Sequence, residues 1–364
     1  MLPRIFIIGK NTGAYRTQNF INTVLKNQCA QLYFNGFTIK GIGIIAKIKY
    51  LLGDFGAAFR IFTSDMVYVC IMQHDNRQIK LAKRFKKKII TDYYVSLYDT
   101  YVNDRKLVEK GSKRAEEYRR QDRYALINSD VVLFLNSAEA EYYCRVVGVD
   151  LKEVNYKIVP LCNNVKKPVK LKYFRGEREY LSLCWTGTYI PLQGLDKVIY
   201  AMKILKEEGV YCKLNIWGNS DDSAKEYVEQ IKNCEVEDMI SIHNEWGNMD
   251  KWEEWMIENC DVNLGIFGDS EKAKVVVANK VVDGISFQAP VLTGESRGID
   301  CYFNKKDDIY MVENTPEAIA KAVMKIKDLD IKEVERHTQN GYKIYMREFS
   351  ERSFATRIRD LIGE

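Results

Sequence analysis

The run Cys260–Ser296, CDVNLGIFGDSEKAKVVVANKVVDGISFQAPVLTGES, decides how the rest of the chain is read. It opens on CDVNLGIF, apolar with one early Asp, which reads as a buried strand of a parallel sheet. A Gly-Asp-Ser turn follows, then Lys272 and Lys274. Asn279 is placed to cap a short helix through Val281, Val282 and Ile285; Pro290 stops that helix, and Val291-Leu292 begins another strand. Open α/β sheets hold anions with this succession of strand, polar loop, helix N-terminus and strand. Backbone N–H groups and the helix dipole converge there, and Lys272, Lys274 and Lys280 add charge.

Around this run the chain has 364 residues, too many for one ordinary core, so two domains are expected. With 46% hydrophobic and 29% charged residues it reads as a soluble folded protein. The opening MLPRIFIIGK is too short for a signal peptide or a membrane span and reads as a first core strand. Nine cysteines are scattered singly with no C-x-x-C pair, as in the reduced core of a cytoplasmic protein. His74, His243 and His337 are too far apart to suggest structural zinc. Charge is divided unevenly. Residues 1–168 carry 28 Lys and Arg against 15 Asp and Glu, or +13, and the remainder carries 27 against 35, or −8.

The basic half opens with the strand Arg4–Gly9 and a loop through Gly13 to Arg16, which reads either as a plain βα turn or as a close approach to a phosphate or sugar. Ile42–Phe62 is an amphipathic basic helix that either covers the sheet or touches an anionic membrane. Lys80–Lys88 holds six basic residues in nine: a solvated helix end, a membrane-docking site, or, least favoured without aromatic platforms, a nucleic-acid contact. The strand Lys88–Asp92 places Asp92 at its carboxyl end. Beyond it, Tyr94, Ser96, Tyr98 and Asp99 form a tyrosine- and hydroxyl-rich segment that either joins strand to helix or offers aromatic faces and polar groups to a carbohydrate. Lys166–Arg178 suits an interdomain linker. A second series then begins with a strand ending at Gly187, the turn through Thr188 and Gln193, and a strand ending at Gly218. Trp246 either packs in the core or stacks on a base. Asp221-Asp222 and Asp307-Asp308 read as acidic pairs on surface loops.

Several of these stretches resemble family 4-type retaining glycosyltransferases of the GT-B fold. The resemblance rests on Asn279-Lys280-x-x-Asp283 with Ala289-Pro290-Val291-Leu292, on Gly187-Thr188-Tyr-Ile-Pro191-Leu-Gln193-Gly194 followed by Leu195-Asp196, on Gly265-Ile-Phe-Gly268 with Lys272, and on Ser96-Leu-Tyr-Asp99-Thr. It implies an α/β chain of two Rossmann-like parallel-sheet domains, 1–168 and 169–345, facing a central cleft, with a C-terminal helix, 346–364, crossing back to the N-terminal domain. It also implies a donor substrate, a UDP- or GDP-type sugar, with no separate cofactor and no metal. Gly13, Gly187, Thr188, Gln193, Gly218, Trp246, Asn279 and Lys280 would line the donor site, and Asp283 would hold the ribose hydroxyls. The family's Arg and Lys clamp is replaced here by Thr188 and Gln193, leaving Lys272 and Lys274 to hold the diphosphate, and the first acid of its E-x7-E motif is replaced by Val275. The acceptor would be a saccharide or a lipid-linked one, met by Arg16, Asp92, Tyr94, Ser96, Tyr98 and Asp99. The chain would be cytoplasmic, with peripheral contact at the inner membrane face, acting in cell-surface polysaccharide or glycolipid synthesis. A non-catalytic sugar-nucleotide binder and a sugar-nucleotide epimerase are the alternatives.

Overall fold

A computed structural model describes residues 2–9, 12–34, 55–72, 76–163, 180–244 and 249–363. Trp246, the linker Lys166–Arg178, His74 and the first part of Ile42–Phe62 lie outside the described residues. The chain divides into two compact units, Met1–Cys162 with Glu351–Glu364, and Asn163–Ser350.

Unit 1 is built on a six-stranded parallel sheet with strand order β2-β1-β3-β4-β5-β6. Its strands are β1 Arg4–Ile8, β2 Gln31–Phe34, β3 Met66–Val69, β4 Lys88–Asp92, β5 Val131–Phe134 and β6 Tyr156–Ile158. Helices α1 Tyr15–Asn27, α2 over 55–63, α3 Arg77–Arg84, α4 Lys113–Asn128, α5 Ser137–Val147 and α13 Glu351–Gly363 complete it. The middle strands are apolar on both faces because helices cover both faces. Ile5 and Ile7 pack with Phe20 of α1 and Phe354, Ile358 and Leu361 of α13. Phe6 and Ile8 pack instead with Ala57 and Ile61 of α2 and Ile79 and Ala82 of α3.

Unit 2 has strand order β12-β11-β10-β7-β8-β9, again all parallel. The strands are β7 Leu181–Gly187, β8 Cys212–Gly218, β9 Ile240–His243, β10 Val262–Leu264, β11 Val291–Gly294 and β12 Tyr310–Val312. Its helices are α6 Leu195–Glu207, α7 Asp221–Asn233, α8 Met249–Asn259, α9 Asn279–Ser286, α10 Arg297–Asp300, α11 Pro316–Asp328 and α12 Ile331–Glu348. Asp221-Asp222, expected on a surface loop, form the first turn of α7, where carboxylates complement the helix dipole and Ser220 accepts from the Ser223 amide. All nine cysteines are free thiols, seven of them buried. No helix among the described residues is long and apolar enough to cross a membrane.

The two sequence elements PLQG and GIFG meet in unit 2 backbone to backbone. The Phe267 amide donates to the Gln193 carbonyl at 3.1 Å. Gly194 has φ +64°, and a Cβ there would lie 2.4 Å from the Phe267 carbonyl carbon; one on Gly268 would lie 2.3 Å from the Leu192 oxygen. On the other side of the same loop a Cβ on Gly265 would meet Thr293 Oγ1 at 2.3 Å, while the Asn314 amide donates to the Gly268 carbonyl at 2.9 Å. Gly194→Ala is therefore expected to lower unfolding stability by about 2–4 kcal/mol, through backbone strain and collision together. Gly13→Ala, where a Cβ finds open space, should stay within about 0.5 kcal/mol of the parent in the same denaturant titration.

Candidate functional site

In unit 2 the chain leaves β7 toward β8 on one side of the sheet and leaves β10 toward β11 on the other, so the two exit loops diverge at a topological switch point. Lys280, second residue of α9, reaches into this place. Its side chain is buried, with Nζ 3.9 Å from the centroid of the fully buried Trp185 ring. A Cβ on Gly187, at the end of β7, would lie 3.1 Å from that Nζ and 3.4 Å from Gln193 Cδ, so lysine and glutamine converge on the one residue that offers no side chain. Lys280 Nζ has no hydrogen-bond partner, and neither has Gln193 Oε1, which meets the same glycine. Burial without a counter-ion pushes the Lys280 ammonium well below its ordinary pKa. The lysine is held from its backbone: Asn263, buried in β10, donates from Nδ2 to the Lys280 carbonyl at 2.8 Å, and Gly284 leaves room for that amide.

One turn further along α9, Asp283 accepts from Asn163 Nδ2 at 3.1 Å, and the same amide reaches Ser286 Oγ at 3.0 Å. Burial lifts the Asp283 carboxyl to about 7, against the Asn163 hydrogen bond and with help from Glu253. Asn279 does not cap this helix. It is the exposed first helical residue, and Ala278, which has no side-chain acceptor, stands at the cap. Thr188 is exposed. Gly218 is bare because Tyr189 fills its space, with the hydroxyl 1.9 Å from where a Cβ would stand. Tyr189 stacks on Trp185 at 5.8 Å and donates to Asn244 Oδ1 at 2.8 Å. Lys272 and Lys274 lie on the turns between β10 and α9. Lys274 is about half exposed and ion-paired with Glu271 at 2.8 Å. Val275 is fully buried.

Unit 1 gathers three of its expected residues at the carboxyl end of β4. Arg16, in the first turn of α1, is 1% exposed, and its Nε lies 3.2 Å from Asp92 Oδ1. Tyr68 donates to Asp92 Oδ2 at 2.8 Å, and the guanidinium sits 5.5 Å from the Tyr94 ring centroid. Burial raises the Asp92 carboxyl, and Arg16 counters it. Arg16 Nη1 and Nη2 have no partner. Gly13 is exposed in the turn before α1. Ser96, Tyr98 and Asp99 belong to a separate, enclosed network. Ser96 Oγ and the Tyr98 amide both donate to Asp122, Arg119 donates to the Tyr98 hydroxyl, and Tyr142 donates to Asp99. Burial lifts Asp122 to about 6.

Asp122, Asn163, Tyr189 and Asn263 escaped the sequence reading. Asn263 alone left a signal, an amide standing in an otherwise apolar strand.

No protein-family model matches the sequence, and no curated protein matches it. Solved structures do match in shape over nearly the whole chain. Sucrose-phosphate synthase from Thermosynechococcus elongatus is 12% identical with a TM-score of 0.72, covering 99% of this chain and 98% of that one. Anabaena HepE in complex with UDP and glucose is 12% identical with a TM-score of 0.70 and full coverage of both chains. WaaG, a glycosyltransferase involved in lipopolysaccharide biosynthesis, is 14% identical with a TM-score of 0.66, covering 99% of each. The fold of this chain is the GT-B α/β fold of these structures.

Asp283 titrates near 7 in the folded chain and near its ordinary 3.8 when unfolded, so the folded state keeps an extra proton between those values. Its contribution to stability is complete below pH 3.8 and is lost as pH rises through 7. Asp122 acts in the same sense. Asp283→Asn should flatten the fall in unfolding free energy between pH 4 and 7, read as the difference between parent and variant urea titrations; parallel curves would show that Asp283 titrates normally.

Proposed function

We propose that this chain is a glycosyltransferase that moves a sugar from a UDP- or GDP-type nucleotide sugar to a saccharide or lipid-linked acceptor. In this reading transfer proceeds with retention and without a metal ion, in cell-surface polysaccharide or glycolipid synthesis. The observation that carries the reading is Lys280: a buried lysine whose Nζ has no hydrogen-bond partner, at the switch point of unit 2, beside bare Gly187 and the unpartnered oxygen of Gln193. A buried cation without a counter-ion is unfavourable by itself and becomes favourable when an anion enters. A diphosphate supplies that anion, and the first turn of α9 adds its dipole. The UDP bound in the Anabaena protein's structure supports a uridine nucleotide as the occupant.

Each neighbouring group then has a task. The Lys280 ammonium takes up the charge that develops on the departing diphosphate, so the nucleotide leaves without having to be protonated first. Gln193 orients phosphate oxygens, and Asp283, fixed by Asn163, accepts from the ribose hydroxyls. Lys272 and Lys274 add an outer, solvent-screened ring of charge. In unit 1, Arg16, Asp92 and Tyr94 bind the acceptor. With retention, the leaving phosphate removes the acceptor hydroxyl proton on the face it departs from.

A thermal-shift screen with UDP, GDP, ADP, CMP and their sugars tests the donor. At one hundred times its dissociation constant the true nucleotide should add about 2.7 kcal/mol. Lys280→Met removes a charge-assisted contact of roughly 1.5–3 kcal/mol and should weaken that nucleotide about 10–150-fold. Lys272→Ala with Lys274→Ala should lower transfer with less effect on binding. Unchanged affinity in Lys280→Met would overturn the site. Binding without turnover over a broad acceptor panel would make the chain a sugar-nucleotide binder, and nucleotide release without any acceptor would point to epimerisation or hydrolysis.

A further inference from the structure

A lysine ammonium presents three N–H donors, and away from water each needs an acceptor. Lys280 is offered none. Its Nζ is buried without a hydrogen-bond partner. Against it lie the face of the Trp185 ring, 3.9 Å to the centroid, and the side of Gly187 that carries no Cβ. Gln193 approaches the same glycine, yet its Oε1 is unpartnered too, so it is not bonded to the amine. Trp185 is itself fully buried and stacked on Tyr189. A ring face gives back only part of what water gives an ammonium. The amine cannot withdraw to water by shifting α9, because Asn263 of β10 holds the Lys280 carbonyl.

The ionisable groups around it do not make up the difference. Cys184 of β7 favours the charged form, but less than burial opposes it. Cys260, just after α8, is a thiol whose pKa burial pushes up. Asp283, one turn along α9, accepts from Asn163, and burial raises its carboxyl with help from Glu253 of α8. Asp196, in the first turn of α6, is exposed. In the loop between β10 and α9, Asp269 pairs with Lys197 and Glu271 with Lys274. Lys272 and Lys274 carry the same sign as an ammonium.

We infer that the empty site holds Lys280 as an uncharged amine and that a nucleotide diphosphate binds together with a proton from solvent, which the amine keeps until the nucleotide leaves. The inference rests on the donor reading above and says how the charge in that site is made. The balance is simple: the amine and one solvent proton become an ammonium facing the diphosphate, and departure reverses the step. Affinity must then fall by about tenfold for each unit of rising pH, wherever the free amine is neutral and the bound one charged.

Isothermal titration of the full chain with UDP and with GDP at about pH 8 tests it, since the diphosphate is fully ionised there. Tris and Hepes differ in ionisation enthalpy, so the difference in heat between the two buffers counts protons. Uptake should be about 0.7–1 proton per bound nucleotide, and Kd should rise about tenfold from pH 7.5 to 8.5. Lys280→Met should show neither effect, and Asp283→Asn should keep both. In the parent itself, one lysine Cε carbon-13 resonance should move from the amine to the ammonium position when nucleotide is added, which reads the proton even if Lys280→Met melts early. Nucleotide binding with no uptake, or with no lysine resonance moving, would overturn the inference and leave the donor reading standing. So would uptake that survives in Lys280→Met or vanishes in Asp283→Asn, because the proton would then belong to another group. Binding of neither nucleotide would overturn both.

Discussion

The exit loop of β10 is held from both sides by contacts that leave no room for side chains, and unit 2's site depends on that grip. On one side Gln193, Gly194 and Leu192 meet Phe267 and Gly268 through their backbones. On the other, Thr293 and Asn314 close over Gly265 and Gly268. A switch point opens a gap because successive loops part company there. Here the gap narrows until backbone lies against backbone, and Asn263 then carries the same fixed frame into the first turn of α9. Lys280 therefore hangs from a rigid support, although its own side chain has no hydrogen bond to steady it.

The two units bury a basic side chain near the carboxyl ends of their strands by different physical routes. Arg16 is enclosed with a counter-ion, Asp92, whose second oxygen is occupied by Tyr68. Lys280 has only the face of an indole beneath it. An aromatic quadrupole attracts an ammonium without fully replacing its hydration, so this amine can shed its proton where arginine cannot. The first arrangement suits a permanent charge and the second a charge that appears when it is needed.

The strands were legible because parallel strands covered on both faces must be apolar throughout, and β4 and β7 follow their apolar runs almost residue for residue. The glycines of PLQG and GIFG were visible as motifs, but their cause was hidden, since Gly194 and Gly268 are each required by a residue about 75 positions away and Gly265 by Thr293 on the next strand. Burial was the least legible property. Ser96, Tyr98 and Asp99 look like an exposed polar loop because nothing nearby in sequence announces that Asp122, Arg119 and Tyr142 will fold over them. Lys280 looks like one lysine among three for the same reason. Only the meeting of β7 with α9 distinguishes it from Lys274, which faces water and Glu271.

Helix α13 supplies Phe354, Ile358, Leu361 and Ile362 to the core that Ile5 and Phe20 begin. All of Asn163–Ser350 lies between these contributors in sequence. Unit 2 is one continuous stretch, whereas unit 1 is completed by a helix that follows the whole of unit 2, so the flank of its sheet that α13 covers stays open during synthesis until that helix is made.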